Sequence, residues 1–102
     1  MANPTTFNWA DPTTNTDGTT ITAGEISGYT IGIRPSTGTV GSYPTLVNVS
    51  GATAKNAALP VLASGTYDAA IQSVGPINSA WSAEITFTIA ATPGPPTSFG
   101  VA

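Results

Sequence analysis

Asp11, Asn15 and Asp17 stand just ahead of Gly18 in the stretch ADPTTNTDG, the oxygen-rich kind of sequence from which calcium loops are built. The spacing misses the D-x-[DN]-x-[DN]-G pattern, and no acid is placed downstream for bidentate ligation. These Asx and Thr residues are better explained as turn formers. Asp68 and Glu84 are a second candidate pair, on the outward faces of two strands expected to be neighbours. Paired carboxylates hydrolyse glycosides only in a cleft that raises one pKa. Nothing indicates such a cleft, so both read as solvated surface acids. Arg34, just before Pro35, reads as an edge or rim charge rather than an anion clamp. The NVS at Asn48 matches a glycosylation sequon but carries little weight without a secretory signal. With no histidine and no cysteine in the chain, serine triads, imidazole or thiolate zinc sites and the usual general base are excluded. No catalytic residue, cofactor or metal is assigned, and the expectation is a protein that is not an enzyme.

The bulk composition narrows the partners. At 102 residues the chain makes one domain with one modest core. Only 7% of residues are charged, and Arg34 and Lys55 are the sole cations in a chain of net charge -3. That is no footprint for nucleic acid. No apolar run approaches the roughly 20 residues that span a bilayer as a helix, and no signal peptide is visible at the N-terminus.

Short alternating segments separated by turn residues predict an all-β, antiparallel sandwich. The first covers Thr5, Phe7 and Trp9 and stops at the proline of ADP, since proline cannot donate to a ladder. In GYTIGIRP, Tyr29, Ile31 and Ile33 share a face; Leu46 or Val47, with Val49, marks the next strand. A short strand is expected around Ala52 to Ala57. In TYDAAIQSV, Tyr67, Ala69 and Ile71 point one way and Ala70, Gln72 and Val74 the other. The last strand, AEITFTIA, sets Ile85, Phe87 and Ile89 inward.

Taken together, FNWADP, SGYTIGIRP, ASGTYDAAIQSV and SAWSAEITFTIA, in this order and spacing, resemble a fibronectin type III-like (Ig-like) domain of bacterial or phage type. The match covers residues 5 to 90. It implies a core position between the sheets for Trp9, and a corner in which the Tyr67 hydroxyl bonds backward to nearby backbone. Trp81 either covers the end of the core or stays exposed for a partner.

The family's opening strand A, of the type P-P-x-x-Φ-x-Φ, has no counterpart before FNWADP. A similar segment, PGPPTSFGVA, follows the last strand. The expected organisation is therefore a sandwich over residues 1–91 and a proline-rich tail, 92–102, that is a candidate donor strand. To complete its own sandwich the tail would have to cross about 25–30 Å with roughly seven residues, nearly their full extension. Either the tail is a linker or the slice of a tandem array, or it serves donor-strand exchange. In the second case Phe99 and Val101 are the knobs, and Phe7 and Trp9 line the receiving groove.

The resemblance implies a non-enzymatic structural protein that assembles with copies of itself or decorates a shell. A phage virion component (capsid decoration, tail or tail fibre) is the expected setting, with a bacterial or extracellular surface as the other location. The alternative is a carbohydrate- or cell-surface-binding module, using Tyr43, Trp81 and the Asp11–Ser27 loop, or one repeat of a fibronectin type III array.

Overall fold

Period-two alternation of apolar residues becomes two facing antiparallel sheets in the computed structural model, which describes residues 3–98, 100 and 101. The strands are β1 (Thr6–Asn8), β2 (Gly28–Pro35), β3 (Thr45–Ser50), β4 (Asn56–Ala58), β5 (Gly65–Val74) and β6 (Ile85–Ile89). The larger sheet has the order β3-β2-β5-β6 and the smaller pairs β1 with β4; no helix occurs among the described residues. The protein is an all-β sandwich.

Register explains which side chains meet. Ile31 lies opposite Val47 on one side and Ile71 on the other, and Ile33 lies opposite Ala69. Side chains in one cross-strand row share a face. The core therefore gathers Ile31, Ile33 and Ala69 from the large sheet against Phe7 from the small one. Burying such β-branched and aromatic side chains contributes roughly 1.5–3 kcal/mol each.

Phe7, not Trp9, occupies the centre. Phe7 is only 7% exposed and meets Phe87 edge-on at 5.7 Å. Trp9 lies just beyond β1 and stays half-buried, its ring 5.3 Å from Tyr29. Its indole Nε1 donates to Asp11 Oδ1 at 3.1 Å, which holds the polar edge at the rim. The strand expected over 52–57 forms later, at Asn56–Ala58, because a turn comes first. Gly51 supplies φ 106, and Ala54 N donates back to Gly51 O at 3.3 Å. Tyr67 does bond backward: its hydroxyl donates to Ala63 O at 2.7 Å, tying the start of β5 to the preceding loop.

The last strand behaves unequally. Ile85 shares the inward row with Ala69 yet is 56% exposed, because the two-stranded sheet stops short of covering it. Beyond β6 every described residue from Ala91 onward is exposed. The accessible surface of 7014 Å² exceeds the roughly 5300 Å² of a compact monomer of this mass. Likewise the radius of gyration, 18.2 Å, exceeds the roughly 13 Å expected. The tail runs off the sandwich rather than folding over it.

Candidate functional site

The backbone of β1 has two edges with different fates. Trp9 N donates to Lys55 O and Leu59 N donates to Thr5 O, both at 3.0 Å. Thr5, Phe7 and Trp9 therefore direct their peptide groups at β4, and by antiparallel alternation Thr6 and Asn8 direct theirs the opposite way. Among the described residues no strand pairs with that second edge.

Beside this open edge the two sheets gape. Phe7, Ile31, Ala69 and Ile85 border an open cleft of about 80 Å³. Next to it, Trp9, Tyr29, Ile71, Ser73 and Ser79 border a larger one of about 190 Å³. Trp9, Ile71 and Ser82 are common to both, so the clefts form one apolar groove along the free side of β1. Phe7 and Trp9, expected from the sequence to receive a donor strand, both border the smaller cleft. Ile85 and Tyr29 were read only as core residues. Their place at an opening depends on how far the small sheet extends, which alternation does not encode.

The segments flanking β1 and β6 are tied together. Asn3 Nδ2 donates to Ala90 O at 3.3 Å, and Ala90 N donates to Asn3 Oδ1 at 2.8 Å. The segment entering β1 and the segment leaving β6 therefore share one pole of the sandwich. Val101 is fully exposed; Phe99 lies outside the described residues.

The opposite, outer face of the large sheet is closed by a polar cluster. Arg34, expected at a rim, is 4% exposed. Its Nε and Nη2 donate to Glu84 Oε2 and Oε1 at 2.8 and 2.7 Å, and Nη2 reaches Asp68 Oδ2 at 2.9 Å. Nη1 donates to Gly38 O at 3.0 Å. The two acids expected to be solvated are thus the counter-ions of a buried guanidinium, brought together because Arg34 lies directly opposite Asp68. The Arg34 fork and the Tyr43 hydroxyl, which donates at 2.8 Å, lower the Glu84 pKa from an ordinary 4.5 to about 2.

Tyr43 and Trp81 cap this cluster, their rings 4.8 Å apart. A side chain at Gly32 would overlap the Tyr43 ring, so the glycine in β2 makes room for it. Trp81 consequently covers the outer face of the large sheet, not the end of the core. Both rings are half-buried against each other rather than displayed.

The acids of the Asp11–Ser27 loop are each engaged by other side chains or backbone of the chain. Asn15 N donates to Thr19 O at 2.8 Å and Thr14 bridges Thr20, which makes a small hairpin around Gly18. Asp17 Oδ1 accepts from Thr19 N and Oγ1 at 3.0 and 2.6 Å. Asn15 Nδ2 donates to Glu25 Oε2 at 3.0 Å, and Asp11 pairs with Lys55 at 2.7 Å. Among the described residues no three His, Cys, Asp or Glu side chains converge as a metal site would require. No protein-family model matches the chain, and neither a curated protein nor a solved structure matches it.

Proposed function

We propose that this protein is a non-enzymatic assembly module, a fibronectin type III-like sandwich completed by the C-terminal segment of another copy. The observation that carries the proposal is the pairing of two unused features in one chain. One is a strand edge that, among the described residues, no strand pairs, beside an apolar groove; the other is a tail whose apolar Val101 is fully exposed. Open edges attract strands, and proteins commonly cover or blunt them. Burying Phe99 and Val101 in a neighbour would contribute about 3–5 kcal/mol before ordering costs, and main-chain bonds to Thr6 and Asn8 would add to it.

The strand order supports the family reading, with β1 and β4 facing β3-β2-β5-β6 and, among the described residues, no strand on the other side of β1. The backward bond of Tyr67 supports it too. The setting suggested by the resemblance is a virion, where identical modules tile a shell, tail or fibre; one repeat of a tandem array would use the same edge and tail. Recognition of a glycan by Tyr43 and Trp81 has weaker support, since these rings face each other and the Tyr43 hydroxyl is engaged by Glu84.

Mass measurement by sedimentation across a range of concentrations tests the proposal. The full chain should grow in mass with concentration, and Phe99→Asp should keep it monomeric, a loss of association of roughly 100-fold. A full chain that remains monomeric at every concentration refutes self-assembly.

A further inference from the structure

The groove is asymmetric, and its asymmetry assigns a direction to the strand that fills it. The small cleft lies at Phe7, in the middle of β1, and the large one lies past Trp9, where Ala10 and Pro12 join its wall. Successive inward residues of the facing strand β5, Ala69, Ile71 and Ser73, pass from the first cleft to the second. The two compartments are therefore about one inward step apart, roughly 7 Å along a strand. Phe99 and Val101 have the same i, i+2 spacing, and they differ in size as the compartments do.

We infer that the donated strand runs antiparallel to β1, with Phe99 in the large cleft beside Trp9 and Val101 in the small one beside Phe7. This polarity rests on assembly through the tail as proposed above. An antiparallel strand meets the Trp9 end first, so the larger residue comes first, as it does in TSFGVA. A parallel strand would bring phenylalanine to the cleft of about 80 Å³ and leave valine loose in that of about 190 Å³. Close packing favours the first arrangement.

The backbone phase agrees. Phe7 and Trp9 already spend their peptide groups on β4, so Val101 and Phe99 oppose them as non-hydrogen-bonded pairs, whose side chains approach most closely. Gly100 falls opposite Asn8 and Ala102 opposite Thr6, where the free N–H and C=O groups of β1 point. The donor thus bonds through alternate residues while its two apolar side chains enter the groove.

Polarity also dictates how copies meet. The Asn3–Ala90 bonds place the departing tail at the pole where β1 begins, whereas an antiparallel donor arrives at the pole where β1 ends. A chain's own tail, turned back, would run parallel to β1 and present its two side chains in the wrong order. Copies therefore join head to tail through unlike surfaces, which gives a ring or an open filament rather than a two-fold dimer.

Cysteine cross-linking in the full chain tests this, and the chain has no native cysteine to interfere. The double variant T6C/A102C should form ladders of disulfide-linked oligomers on non-reducing gels, while T6C/S98C should not. Exchanging the knobs, F99V/V101F, should weaken association at least 10-fold. Ladders from T6C/S98C instead, or from both variants equally, would overturn the polarity and leave assembly standing. A chain that polymerises without cross-linking in either variant, or is indifferent to the knob exchange, would overturn the groove register. A parent chain that never leaves the monomer would remove both the polarity and the assembly beneath it.

Discussion

The two sides of the large sheet are finished in opposite ways. On the outer side the chain supplies every component itself: Arg34 from β2, Asp68 from β5, Glu84 just before β6, and the Tyr43 and Trp81 rings above them. No buried side-chain nitrogen or oxygen among the described residues lacks a hydrogen-bond partner. On the inner side, toward β1, the apolar surface ends in a groove with Ile85 partly in water and the peptide groups of Thr6 and Asn8 facing outward. The difference teaches where the chain finishes its own surface and where, among the described residues, a strand edge stays open. A buried charge leaves no freedom, because a missing partner is heavily penalised. An apolar groove tolerates a vacancy, at the cost of exposed area alone.

The comparison breaks most visibly at Arg34. Arg34→Met removes the common partner of Asp68 and Glu84 and leaves two adjacent carboxylates with no cation. The melting temperature should fall by at least about 10 °C in thermal unfolding followed by circular dichroism. A variant that melts with the parent would show that the outer cluster is decoration.

A smaller effect comes from acid. The folded-state pKa of Glu84 is about 2, below its ordinary 4.5. Its contribution is therefore fully present above pH 4.5 and is lost as pH falls from there toward 2. Stability should decline across that window, and Glu84→Gln should flatten the decline while lowering stability at neutral pH. An unchanged slope between parent and variant would mean that Glu84 does not carry the acid sensitivity.

The smallest effect belongs to the groove in the free chain. Ile85→Ser should shift the melting of a dilute, monomeric sample by no more than about 3 °C, yet weaken association at high concentration. A large loss of monomer stability would mean that Ile85 is already part of a finished core.

Alternation along the chain was enough to place β2, β5 and β6 and to sort Ile31, Ile33 and Ala69 from their outward neighbours, because a strand's two faces follow directly from residue parity. Three prolines within 93–96 offer neither donors nor apolar repetition, so alternation predicts no strand there. Parity put Phe7 and Trp9 on the same inward face, but which of them would be central was not legible. That depended on β1 ending at Asn8.

What the order of residues settled alone is local: where strands run, which faces are apolar, and that histidine and thiol chemistry are absent. Only the tertiary structure decided that Arg34, Asp68, Glu84 and Tyr43 form one cluster, because cross-strand register joins residues as many as 50 positions apart. Only it showed that Ile85 borders an opening. Closure of a sheet is a property of neighbouring strands, and a strand's own sequence carries no record of the neighbour it lacks.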